Sequence, residues 1–235
     1  MVSVLQPARA MIDPLDGLGV AVESRRWAWP LIALSLCVSF SAAAFALRWD
    51  APVPVTRQLQ MQGEFQNTTE QELAQQIVTA ERVKLVSGVA KGLFVMPLMV
   101  LLLAAVLKGA GWMFGTPARF EKCFAAAAIA TLPIALYHLI LGFSALRQPA
   151  LTEMQLDTLV PSSLAVAFPK VVPTARRVLG ALDFFNFWSV AMLGLGFAAA
   201  SGMRRGRALL LGLGLYAMYV GLVVIGLPGM MGGPK

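Results

Sequence analysis

A chain of 235 residues that is 58% hydrophobic and only 13% charged carries roughly half the charge of a soluble domain of its size, which excludes an ordinary water-soluble fold. Its net charge of +7 does not mark a nucleic-acid protein, because the basic residues collect beside apolar stretches (Arg25–Arg26, Lys108, Arg119, Lys122, Arg204–Arg205, Arg207) and no basic–aromatic motif accompanies them. One histidine and two separated cysteines, Cys37 and Cys123, exclude an ordinary His/Cys metal cluster and a disulfide framework.

The N-terminal stretch predicts a short amphipathic helix. Asp13 suits its N-cap and Pro14 its first turn, while Leu15, Leu18 and Val22 fall on one face. The expectation is a helix lying in the cytoplasmic interface. The polar and amphipathic residues before Trp27 are too many for the n-region of a secretory signal, so the first apolar window is read as a retained helix.

Five windows without Asp, Glu, Lys or Arg follow: Pro30–Leu47, Gly92–Leu107, Cys123–Leu146, Phe184–Met203 and Ala208–Pro228. Each is about 16–24 residues long, enough to cross or nearly cross a ~30 Å hydrocarbon layer as a helix. They are apolar on every face, which selects helices over a closed barrel of alternating strands. The expectation is a single membrane domain over residues 1–235, an all-α polytopic bundle with spans at about 29–48, 88–110, 120–146, 182–203 and 207–228. Residues 1–28 form a cytoplasmic or interfacial segment, and outer loops cover 49–87 and 147–181. Trp27, Trp29 and Trp49 are read as aromatic anchors.

The first outer loop holds a helix start, with Thr69 as N-cap and Glu72 three residues on. No Gly or Pro then intervenes before Gly88, and Leu73, Ile77, Ala80 and Lys84 share a face. A helix beginning outside the membrane and running into span two is predicted. Thr152-Glu153-Met154-Gln155-Leu156 repeats the pattern weakly, in a second loop broken by Pro149, Pro161, Pro169 and Pro173. The tail Pro228–Lys235, rich in Gly, Met and Pro, is expected to be unstructured.

Five spans put the termini on opposite sides. The side of the N-terminus receives nine basic residues (Arg9, Arg25, Arg26, Lys108, Arg119, Lys122, Arg204, Arg205, Arg207) against four acids (Asp13, Asp16, Glu23, Glu121) on short segments. The other side spreads ten basic residues and eight acids over long loops. Density beside short span ends predicts a cytoplasmic N-terminus and an extracytoplasmic C-terminus.

Polar groups at span ends and within spans point to possible chemistry. Lys91 starts span two, Asp183 starts span four, Asn186 lies a turn into it, and His138 lies in span three. The structural reading makes Asp183 a helix N-terminal group paired with Lys91, Asn186 interhelical glue and His138 a neutral hydrogen-bonding residue. The functional reading joins the four into an outer-leaflet polar pocket for a substrate headgroup or a proton. No carboxylate lies at mid-membrane depth, which disfavours an ion-coupled transporter.

Pro97 and Pro133 are expected to bend spans two and three. Gly88-x-x-x-Gly92 and the small face Ala125–Ala128 permit close helix approach. No P-loop, nucleophile beside a usable His, HExxH or paired aspartate is present, so neither an enzyme nor a cofactor is expected.

Four stretches carry a family resemblance: Ile12-Asp13-Pro14-Leu15 leading to Arg26-Trp27 and Pro30-Leu31; Gly115–Phe120; Ala130-Thr131-Leu132-Pro133; and Leu182–Trp188 with Leu193–Gly196. In this order, across nearly the whole chain, they resemble the Yip-domain family of integral membrane proteins in its bacterial form, departing in Asn186 and Phe187 amid the aromatic run. The resemblance implies a five-span bundle with a cytoplasmic N-terminus and no catalytic residues. Eukaryotic relatives act in vesicle traffic through small GTPases, and some bacterial relatives look like accessory subunits of ABC exporters that help assembly with a periplasmic adaptor. A non-enzymatic scaffold binding an ABC permease, an adaptor or other membrane proteins is therefore expected. Its candidate partner surface is Thr69, Glu72, Leu73, Ile77, Gly88 and Gly92. The alternatives are a small transporter or lipid-handling protein using the polar pocket, and a homo-oligomer that shapes membranes.

Overall fold

Among the residues that the computed structural model describes, 6–168 and 170–226, five helices are long and apolar enough to cross a membrane. They are Ala28–Ala46, Glu70–Met113, Phe120–Leu146, Phe184–Ser201 and Arg205–Gly226, here spans one to five. Among the described residues all regular structure is helical, with extended pairing confined to two isolated bridges. The expected unstructured tail, Pro228–Lys235, lies outside the described residues, as do Pro169 and the last residues of the predicted fifth span.

Two helices precede span one: α1 (Gln6–Ile12) and α2 (Pro14–Glu23). Pro14 opens α2 as the sequence suggests. Its apolar face is used within the protein: Leu18 and Val22 are fully buried and belong to the main core. There α2 packs against α7 (Phe120–Ala130), the first half of span three, and against α11 (Phe184–Ser201), which is span four. Ion pairs Arg25–Glu121 and Lys122–Glu23 fasten the end of α2 to the start of α7.

Span two belongs to a continuous helix of 44 residues, Glu70–Met113, about 66 Å long at ~1.5 Å per residue. Its first part, α5 (Glu70–Ala90), starts at a complete capping box. The Glu72 carboxylate accepts the Thr69 backbone N–H and hydroxyl while the Thr69 hydroxyl accepts the Glu72 N–H. Those bonds hold the Glu72 carboxyl below its ordinary range. The helix widens to a π turn over Lys91–Val95 before continuing as α6 (Met96–Met113). Pro97 lacks an N–H and its ring crowds the preceding turn, and the wider turn absorbs that mismatch without ending the helix.

Pro133 acts differently. Span three breaks at Thr131 between α7 and α8 (Leu132–Leu146), and the Thr131 hydroxyl donates to the Ala128 carbonyl at 2.7 Å. The same carbonyl accepts the Thr131 N–H at 3.2 Å, so both donors of Thr131 are satisfied where water is absent. Ala125–Ala128 are fully buried, and span four approaches them closely, with a Cβ built on Gly196 lying 3.1 Å from Ala126 Cβ. Span one, α3 (Ala28–Ala46), packs along α8, and span five lies chiefly on span four.

On the side where the long loops lie, a second cluster joins Ala44, Phe45, Ala145 and Leu151, with Trp49 against it. Asp50 N–H donates to Leu151 C=O at 2.9 Å, and Leu151 N–H donates to Arg48 C=O at 2.6 Å. Lys84 of α5 sits over both the Phe45 and Trp49 rings, 5.3 and 5.0 Å from their centroids, and pairs with Glu153. Residue Glu153 begins α9 (Glu153–Leu159), whose Thr152 supplies another capping box with Gln155.

The GxxxG pair faces the chain's own span one. A Cβ on Gly92 would collide with Ser39 Oγ and lie 2.9 Å from Ser35 O, and one on Gly88 would lie 2.8 Å from Ala42 Cβ. Ser39 Oγ donates to Val89 C=O across the same contact. Gly109, also within this long helix, has nothing within 4 Å of an added Cβ. Gly92→Ala is therefore expected to cost about 1–3 kcal/mol by overpacking, and Gly109→Ala to gain about 0.5–1 kcal/mol of helix propensity. Thermal unfolding of the two variants in detergent tests this; equal melting temperatures would refute the assigned contact.

Candidate functional site

A cleft of about 690 Å³ opens among spans three, four and five. Ile134, Tyr137 and His138 line it from α8, Asp183 and Asn186 from the start of span four, and Val224 from the end of span five. The second loop supplies the remaining wall. Glu153, Val160 and Ser163 come from its first half, and Arg176, Arg177 and Gly180 from α10 (Pro173–Ala181). Three of the four residues singled out as a polar pocket, His138, Asp183 and Asn186, thus share one cavity. Lys91 is exposed on the π turn, does not line the cleft, and makes no ion pair with Asp183.

Asp183 is only 6% exposed, and both of its carboxylate oxygens are engaged. Oδ1 accepts the backbone N–H groups of Phe185 at 2.8 Å and Asn186 at 3.3 Å, while Oδ2 accepts the Ser162 hydroxyl. The residue is the N-cap of span four, where unpaired helical N–H groups and the helix dipole favour an acceptor and a negative charge. Neighbouring backbone bonds extend the attachment: Leu164 N–H donates to Leu182 C=O at 3.1 Å, and Phe184 N–H to Ser162 C=O at 3.0 Å. Residues 162–164 are thereby stapled to the head of span four.

Asn186 Nδ2 donates to the Ala181 carbonyl at 3.1 Å, and the Tyr216 hydroxyl of span five donates to that same oxygen. His138 Nδ1 lies 2.8 Å from Ser41 Oγ of span one, whose hydroxyl also reaches the Val38 carbonyl at 2.9 Å. The arrangement that satisfies both contacts carries the proton on His138 Nδ1 and donates it to Ser41. These polar groups bind spans to one another and to the loop. To this lining α10 and the loop add Arg176, Arg177 and Ser163.

Ser41, Ser162, Ser163, Arg176 and Arg177 were not anticipated. The serines carry no local pattern, because their partners lie far along the chain. The two arginines had a faint signal, a basic pair between Pro173 and the Asp183 cap. Along the projecting helix, Leu73, Ile77, Ala80 and Lys84 are half-buried, whereas Thr69 and Glu72 at the tip are exposed. Val78, Val83 and Val86 are exposed.

If Asp183 serves as this cap, Asp183→Ala lowers stability by about 1–2 kcal/mol, and Asp183→Asn, which keeps an acceptor oxygen, by less. Melting temperatures of the detergent-solubilised variants read the difference. Indistinguishable losses would contradict the capping role.

No curated protein and no solved structure matches the chain. A family model does: the Yip1 domain aligns over residues 8–227, taking in α2, all five spans and the cleft. The apolar helices, their order and this match agree, and the chain belongs to the Yip1 domain family.

Proposed function

We propose that this protein is a non-catalytic accessory or scaffold subunit of the inner membrane, from the bacterial branch of its family, that assists assembly or regulation of a membrane complex. The partner in this reading is an ABC exporter permease together with an extracytoplasmic adaptor. The N-terminus is cytoplasmic and the C-terminus extracytoplasmic, a placement supported by the density of Arg and Lys on the short N-terminal-side segments.

The observation that carries the proposal is the helix Glu70–Met113. Its apolar part suffices to cross the bilayer, which leaves residues 70–87 about 27 Å beyond it. That extension is held at its base by Lys84 and exposes Val78, Val83 and Val86 along its length. Exposed apolar residues on a fixed, capped helix suit a protein partner. His138, Asp183 and Asn186, in contrast, are hydrogen-bonded within the chain, as suits a scaffold.

Purification from the native host in mild detergent, with mass spectrometry of co-purifying proteins, tests the reading. Stoichiometric recovery of an ABC permease, its ATPase or an adaptor is expected, with recovery falling at least about tenfold for Val78→Glu/Val83→Glu, which places charge at an apolar contact. A homo-oligomer accompanied only by lipid would overturn it. Asp183→Asn with His138→Leu separates the transporter alternative: it abolishes transport if the cleft is the working site, and leaves partner recovery largely intact under the scaffold reading.

A further inference from the structure

Both carboxylates among the described residues lining the cleft are already engaged. Glu153 is neutralised by Lys84, and the Asp183 carboxylate is consumed by the N-terminus of span four and by Ser162. Arg177, exposed on α10, lines the same cleft and has no carboxylate within ion-pair distance among the described residues. The Ser163 hydroxyl, also in the wall, makes no hydrogen bond among the described residues. A guanidinium and a free hydroxyl together offer donors to an anionic, oxygen-rich group such as a phosphate.

The rest of the cleft is unsuited to a free inorganic anion. Ile134, Val160 and Val224 give it an apolar wall, and that wall has depth. Val224 stands near the loop-side end of span five, while Ile134 lies about 18 Å along the axis from the loop-side end of span three, more than half the ~30 Å hydrocarbon thickness. A ligand with a charged head at α10 and an alkyl tail down this wall matches both parts. A cavity of about 690 Å³ holds such a head and part of one chain, with the remainder in the bilayer.

We propose that the cleft binds an anionic phospholipid, its phosphate held by Arg177 and Ser163 and an acyl chain lying along Ile134, Val160 and Val224. The site lies apart from the exposed valines of the projecting helix, so it stands whether or not the scaffold reading does.

The test is native mass spectrometry of the full chain in detergent, titrated separately with phosphatidylglycerol, phosphatidylcholine and inorganic phosphate. Phosphatidylglycerol is expected to be retained at least about tenfold more tightly than phosphatidylcholine, the preference falling about tenfold in Arg177→Gln. Val224→Trp, which fills the wall without changing charge, is expected to weaken retention of phosphatidylglycerol. Melting temperatures identify any variant that fails to fold, and each substitution is read on its own. Equal retention of the two lipids, or retention of phosphatidylglycerol unchanged by both substitutions, would overturn the proposal. Displacement of the lipid by inorganic phosphate at equal concentration would overturn the lipid assignment and leave a plain phosphate site.

Discussion

Everything in this bundle depends on how span three manages its backbone in a solvent without water. An unsatisfied carbonyl in hydrocarbon costs several kcal/mol, yet Pro133 removes a donor in the middle of the helix. The helix is interrupted at Thr131, two residues before that proline, where the Thr131 N–H and hydroxyl both bind the Ala128 carbonyl. Before the break, the alanine face of α7 lets span two, span four and α2 draw close. Beyond it, α8 follows span one and shares less of its length with span four. The cleft lies where that separation opens, on the loop side of the break and against the head of span four.

The spans were legible because membrane helices are specified locally: charge-free length is a property of a window. The Thr69/Glu72 capping box was legible for the same reason, since its two members are three residues apart. The two prolines shared a sequence signal but not an outcome. Pro97 is absorbed by a π turn, whereas Pro133 breaks its helix. Only the surroundings distinguish them: the π turn packs on span one at Gly92, and span three has Thr131 available to return a hydrogen bond.

The candidate site was legible in part, for a related reason. His138, Asp183 and Asn186 announce themselves as polar residues at or within apolar windows. Lys91 did so equally but does not line the cleft, whose described walls come from spans three, four and five and the second loop rather than from span two. Ser41, Ser162 and Ser163 were silent because a serine is tolerated almost anywhere and only its distant partner gives it a role. Lys84 was placed on the correct half-buried face of its helix, but Phe45, Trp49 and Glu153, which hold it, come from three other stretches of chain.

Glu153 belongs to both parts of the molecule discussed here. It lines the cleft and is also the partner of Lys84. An exposed ion pair alone contributes little, typically below about 1 kcal/mol, so the carboxylate by itself is a weak tie. What makes the junction firm is that the same ammonium lies over two aromatic rings, a contact that strengthens as water is excluded. Phe45 and Trp49 in turn pack on Leu151, two residues before Glu153, so α9 is fixed by packing as well as by charge. The base of the projecting helix and one wall of the cleft therefore rest on the same few side chains, and the geometry of either constrains the other.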